Sequence, residues 1–379
     1  MKLIINILFT SILTSCFSSN VINEATKSVT INYNGGVVSD STIFDKSTYF
    51  AIRDKRIDFG SIDRVWCSGD TLFLLNGRKN EIVLMNTHGA YLSTINRQGR
   101  GHGEYIQLID FAIDEKSSHL MCLCSPSSIY IYDYNGNFIS KKELKHYYSE
   151  ISIDSSFVYL RCITDIEEKQ CDFTIDAFNK ENWESTHLLP VEKEYAPHCN
   201  LGRTMFSNSG FCNLTRKFDR NMYRMKNGEV YVEYDFLPNK YTLIPKDEKI
   251  IYECTDLLNL CMKEKKIYGF SNIVHQEDFL MFSTNLWDIV IANKKDCNRL
   301  SNVMNSKLNI PLRLFRPIEG NGAYQVLFYL QEHEIASIKR IISENQKAKE
   351  ATKQELIKLI DEADSQGGQI LFLYKIRDK

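Results

Sequence analysis

Short apolar runs broken by tight polar turns recur along this chain at a nearly constant interval. The stretch from Glu81 to Ser93 (EIVLMNTHGAYLS) aligns without a gap on Ser128 to Ser140 (SIYIYDYNGNFIS), an offset of 47 residues. A looser copy from Phe178 to Trp183 follows about one period later, and Met222 to Val230 follows after another. This places turns at Gly89, Gly136, Asn182 and Gly228. Periods of roughly 40 to 50 residues, built from strands and tight turns, mark β-propeller blades, four-stranded sheets that cannot bury their faces alone.

The period divides the chain. Alternation at Ser28 to Tyr33 and Thr48 to Ile52 predicts two strands ahead of the first repeat. Blades are then expected at Ile62–Ile95, Phe111–Ser140, Glu150–Leu189, around Asn221–Phe236 and at Tyr268–Leu300, with an insertion at Pro238–Lys266. In the segment from Gln331 to Asp364, Ile335, Ile338, Ile341, Ile342, Leu356, Ile357, Leu359 and Ile360 fall at helical spacing among charges. The apolar run Gln369–Ile376 ends the chain as a strand, which invites closure of a sixth blade by strands from both termini. The expected fold is all-β: a six-bladed β-propeller over residues 29–379, closed by N- and C-terminal strands, with a short helical insertion at about 331–364.

The N-terminus has a different texture. Lys2 and the apolar stretch Leu3–Leu13 form a signal too short to remain as a membrane span. Leu13-Thr14-Ser15-Cys16 resembles the lipobox of bacterial lipoproteins. The resemblance implies a signal peptide over 1–15, acylation of Cys16 and a lipidated tether over 16–28. Several acyl chains, each buried CH₂ contributing about 0.8 kcal/mol, would hold such a chain on a membrane. Phe17 rather than Asp after the cysteine implies, by the same resemblance, the outer membrane facing the periplasm, and no acidic run argues for surface display.

Asn96–Tyr105 (NRQGRGHGEY), followed by Asp110-Phe111-Ala112-Ile113-Asp114, resembles a loop and strand of six-bladed β-propeller lipoproteins of Gram-negative bacteria. That family has G-x-G-P-G-E-Y where His102 replaces the proline here, is related in architecture to NHL-type propellers, and implies fold and address rather than an activity.

Bulk properties narrow the function. A net charge of −2 over 379 residues, with 43% hydrophobic content, describes a folded protein without the basic field that nucleic acid requires. The eight histidines form no H-x-x-x-H pair, no C-x-x-C occurs, and no G-x-S-x-G elbow is present. Neither metal nor cofactor is expected. Asp133–Asn137 lacks the terminal Glu of a calcium loop and reads instead as an Asn135-Gly136 type I′ turn. Of eleven cysteines, Cys122 and Cys124 share one strand face and cannot bridge, and buried free thiols are expected for most. The 20 Tyr and 21 Phe lie mainly in the strand repeats, as packing between blades.

One loop carries candidate chemistry. Gly99, Gly101 and Gly103 could turn backbone N–H groups toward an anion flanked by Arg97 and Arg100, with His102, Glu104 and Tyr105 completing a ligand site. The structural alternative is that the glycines serve a tight connection and Glu104 and Tyr105 lock it. The leading expectation is a lipid-anchored envelope propeller that binds a glycan, peptide or partner protein without chemistry. The alternatives are a propeller hydrolase, lactonase or lyase with an axial site, and a structural subunit of an outer-membrane complex.

Overall fold

The computed structural model describes residues 21–22, 26–30, 36–52, 54, 56–57, 59, 61–163, 171–191, 201–208, 210–237, 239–241, 254–276, 279–286, 289–293, 296–306, 316–320, 324–330, 334–364 and 369–376. The chain is all-β with few helices, in a propeller-like arrangement of antiparallel sheets. The first quartet is Arg64–Ser68, Thr71–Asn76, Glu81–Asn86 and Tyr91–Asn96. The second is Gln107–Asp114, His119–Ser125, Ser128–Asp133 and Phe138–Glu143. The third is Tyr148–Ile153, Phe157–Cys162, Phe173–Asn179 and Ser185–Pro190. The fourth is Met205–Asn208, Phe211–Thr215, Asn221–Lys226 and Glu229–Leu237. The fifth is Phe270–His275, Phe279–Thr284, Ile289–Asn293 and Asp296–Met304. In the last, Arg316–Gly320, Tyr324–Leu330 and Ile370–Ile376 take Phe44–Ala51 as their outer strand. Ile318–Gly320 pairs in parallel with Val65–Cys67, joining the last quartet to the first.

Burial explains the sequence pattern. Thr71–Asn76 is buried almost throughout, because a second strand has neighbouring sheets on both faces. Phe138–Glu143, an outer strand, alternates between half-buried and exposed positions. The apolar clusters therefore lie between sheets: one spans the first three quartets from Trp66 to Phe173, and another joins the first and last through Val65, Leu74, Ile318 and Leu371.

The turns refine the expected geometry. Gly136 has φ +79 but Asn135 is not left-handed, so this is not a type I′ turn. Asp133 N donates to Asn137 O, Gly136 N donates to Asp133 O, and the ladder shifts between Ile131 and Tyr132. This is a type I turn with a glycine bulge, and Asp133 Oδ1 accepts from Asn135 N and Asn137 N to hold it. The Asn86–Ala90 turn repeats it, with Gly89 at φ +87. Asn227 and Gly228, both left-handed, make a true type I′ turn. In the outer turn of the third quartet the left-handed residue is Trp183, one position beyond the expected Asn182.

The N-terminal segment runs along outer edges. Val21–Ile22 and Lys27–Thr30 pair in parallel with Glu229–Leu237, and Val37–Ser39 pairs with Asp296–Met304. Within the span expected as tether, 16–28, Val21–Ile22 and the start of Lys27–Thr30 are strand, because an open sheet edge offers N–H and C=O groups to them. The signal peptide and Cys16 lie outside the described residues. Helices occupy Ile335–Glu344 and Glu350–Asp364, where expected, and their apolar stripe of Ile335, Ile342, Leu356 and Ile360 is buried with Phe44, Ile370 and Phe372. The expected insertion carries an unanticipated helix, Cys254–Glu264, within which Leu257 and Cys261 pack on Phe218 and Tyr268.

Candidate functional site

The first strands of the quartets pack on one another, and on them charged side chains converge where a propeller has its axis. Arg64 opens the first such strand, Asp110 sits within the second, Glu150 and Ile151 within the third, and Glu319 near the end of the last; Arg203 immediately precedes Thr204 and the fourth. Arg64 Nη1 donates to Asp110 Oδ1 at 2.9 Å and to the carbonyls of Ile151 (2.9 Å) and Phe111. Arg64 Nη2 pairs with Glu319 Oε2. Arg203 makes a second bridge between the same acids: Nη1 to Asp110 Oδ2 at 2.9 Å, Nε to Glu319 Oε1 at 2.8 Å, and Nη2 to Ile151 O at 2.8 Å. Ile151 N donates to Asp110 Oδ2 as well. Both oxygens of each acid are taken, and Arg64, Asp110 and Glu319 are 4%, 3% and 1% exposed.

The charges balance across sheets. Burial alone would raise Asp110, but Arg203 and Arg64 outweigh it and hold the carboxyl below its ordinary range. At Glu319 burial wins against the same two arginines and pushes the carboxyl up. Beside this pair, Glu150 accepts from Arg161 (3.1 Å), Thr204 Oγ1 (2.8 Å) and Met205 N (3.0 Å). None of Arg64, Glu150, Arg203 or Glu319 was singled out by sequence, and Asp110 appeared only within the D-F-x-I-D strand. The available signal was charge inside otherwise apolar first strands, such as Arg64 before Val65-Trp66 and Asp110 before Phe111-Ala112-Ile113.

The structure gathers the five loop residues between Tyr91–Asn96 and Gln107–Asp114. Gly101 N donates to Glu104 Oε2 at 2.7 Å, and a Cβ on Gly99 would lie 2.0 Å from the same oxygen. The Glu104 carboxylate therefore lies against the glycines, at the position considered for an anion. Tyr105 OH donates to Asn80 O at 2.7 Å and accepts from Arg97 N at 3.2 Å. Arg97 Nε reaches Gly136 O at 2.8 Å, and Tyr132 OH reaches Gly103 O at 2.9 Å. His102 packs edge-on against Phe138, ring centroids 4.9 Å apart. These bonds tie the first quartet to the second; Arg100 is exposed.

Beyond the loop, the residues that lead into the first strands present apolar surface. Ile106 precedes Gln107 and is 53% exposed; Tyr147 precedes Tyr148 and is 47% exposed. Ile163, 41% exposed, donates its N–H to Tyr147 O at 2.9 Å. Next to them Phe173 stacks on His187 at 3.7 Å and meets His146 edge-on at 5.3 Å. Tyr148 OH donates to Asp176 Oδ2 at 2.7 Å, and burial raises the Asp176 carboxyl. Among the described residues, no group of three His, Cys, Asp or Glu has the geometry to hold a metal ion.

A family described as a domain of unknown function, DUF4934, matches residues 59–375. The chain belongs to the DUF4934 family. No curated protein matches its sequence. The fold of this DUF4934 chain is similar to that of a Bacteroides fragilis protein assigned as exported, with TM-score 0.69 and 15% identity over 93% of this chain and 99% of that one. It is also similar to a member of the DUF4221 family from Bacteroides vulgatus, with TM-score 0.52 and 10% identity over 89% of this chain and 98% of that one. At these identities the likeness is one of fold, and it supports the β-propeller architecture for the DUF4934 chain.

Proposed function

We propose that this chain is a lipid-anchored, envelope-facing propeller of six blades that binds a glycan, peptide or partner protein at one mouth of its ring, without catalysing a reaction. The observation that carries this reading is the axial pair of acids, whose four carboxylate oxygens all accept from Arg64 or Arg203. A general base or nucleophile needs a lone pair directed at a substrate; here those lone pairs face guanidiniums. Chemistry at the axis would first have to break two buried ion pairs. Binding falls instead to the exposed apolar residues Ile106, Tyr147 and Ile163, of which Ile106 directly follows the loop that carries Arg100 and His102.

The blade count rests on the last quartet, completed by Phe44–Ala51 on Ile370–Ile376 and paired to the first through Ile318–Gly320. The anchor rests on the lipobox ending at Cys16, and the exported Bacteroides fragilis protein of similar fold agrees with an envelope address. Cys16→Ala is expected to move the protein out of the membrane fraction; unchanged membrane retention would remove the anchor.

The enzyme reading keeps one observation: carboxylates do converge on the axis, and burial raises one of them, Glu319. Thermal unfolding of the domain lacking residues 1–16, against glycans, peptides, lactones and divalent cations, separates the two. A native-state ligand stabilises by RT ln(1 + [L]/Kd), about 2.7 kcal/mol at a hundredfold excess. A glycan or peptide shift that Ile106→Asp/Tyr147→Asp abolishes is expected. A lactone or cation shift that survives the double substitution and needs Glu319 would replace this proposal with an axial enzyme.

A further inference from the structure

Cys162 ends the strand Phe157–Cys162, and Cys171 stands just before Phe173–Asn179. These strands are antiparallel neighbours with Arg161 opposite Ile175, so both cysteines close the same end of one hairpin. Cys171 Sγ lies 3.9 Å from the carbonyl oxygen of Ile163, the residue after Cys162, and each cysteine's side chain acts on the other. Both residues are buried and packed in one apolar cluster with Phe173 and Tyr148. No comparable arrangement unites Cys67, Cys122, Cys124, Cys212 or Cys261. Cys122 and Cys124 are two apart on one strand, and Cys67, Cys212 and Cys261 lie in three separate parts of the fold.

We infer that Cys162 and Cys171 form a disulfide that staples the third quartet, an inference that rests on the envelope reading for its oxidising surroundings. Side chains that adjoin at one end of a hairpin need only local rotations to reach the S–S bond length of about 2 Å. The bond forms by exchange with a small-molecule or protein disulfide. One thiolate attacks it to give a mixed disulfide, and the second thiolate then displaces the carrier sulfur. Overall the two cysteines lose two protons and two electrons, and the incoming disulfide is reduced to two thiols.

Burial decides when this happens. Burial pushes both thiols above their ordinary range, so in the folded chain neither is a ready nucleophile. The staple closes during folding, while both cysteines still meet solvent, and it serves as a structural link rather than a redox switch.

The test is refolding of the full chain, denatured and reduced, in glutathione disulfide, followed by alkylation in denaturant and peptide mapping without reduction. The expected result is that the peptides holding Cys162 and Cys171 are linked and unalkylated, whereas reduction before alkylation labels both. In Cys162→Ser, Cys171 is expected to be alkylated and unlinked. Alkylation of both cysteines after refolding, or linkage of either to a different cysteine, overturns the pairing. Fractionation of Cys16→Ala tests the envelope reading separately, so the two failures are distinguishable.

Discussion

Replacing Asp110 with alanine is expected to cost about 3–5 kcal/mol of folding stability, the usual penalty for stranding a buried charge. The reason lies in the arithmetic of the axis. Asp110 accepts from Arg64, Arg203 and Ile151 N. Without it Arg64 keeps only the carboxylate of Glu319, which it shares with Arg203, and the largely buried site carries one uncompensated positive charge. Arg64 feels this most, because its side chain is only 2% exposed, whereas Arg203 at 14% has partial access to solvent. Urea unfolding read by fluorescence measures the loss; a change below about 1 kcal/mol would mean that the charges are solvated in the native state.

Gly320→Ala is expected to cost about 3 kcal/mol, combining backbone strain with a clash that cannot relax. Gly320 has φ +109, and a Cβ built there would lie 1.9 Å from the carbonyl oxygen of Cys67. That oxygen belongs to the backbone paired with Gly320 at the junction of the last and first quartets. Moving it means separating Ile318–Gly320 from Val65–Cys67. Gly210→Ala is the control: φ is +80, but nothing lies within 4 Å of the added methyl, so only the left-handed penalty of about 1–2 kcal/mol applies. Equal losses in the two variants would show that the junction is not tightly paired.

The contrast between Gly320 and the hairpin glycines shows how much of the fold was legible in the sequence. Gly89, Gly136 and Gly228 follow apolar strands at a regular interval, and all three are left-handed in turns. Periodicity exposed them because a hairpin is local: strand, turn and strand lie within a few residues. The turn type was less legible, since Asn135-Gly136 satisfies both a type I′ turn and a bulged type I turn, and cross-strand registry chooses between them. Gly320 has no local signature, because its constraint is the backbone of Cys67, far away in sequence. The same distance hid the axial network. Arg64 and Glu319 are 255 residues apart and meet only when the last quartet pairs with the first.

The glycine-rich loop sits between these extremes. Its composition marked it, and the structure unites Arg97, Gly101, Glu104 and Tyr105 through local hydrogen bonds. Gly136, Tyr132 and Asn80, which complete those bonds, come from flanking strands and turns that composition alone does not point to. The N-terminal segment shows a further limit. Val21–Ile22 is too short to read as a strand by alternation, and only the waiting edge of Glu229–Leu237 makes it one.

A double-mutant cycle on Arg203 and Asp110 tests most directly whether the axial acids are bound to arginines rather than held open for chemistry. Arg203→Met and Asp110→Leu each leave an odd charge among the remaining groups, whereas the double variant leaves Arg64 paired with Glu319. The account predicts that the double variant is more stable than the sum of the single losses implies, by about 2–3 kcal/mol. Losses that add to within about 0.5 kcal/mol would contradict it, since groups without mutual contact behave independently.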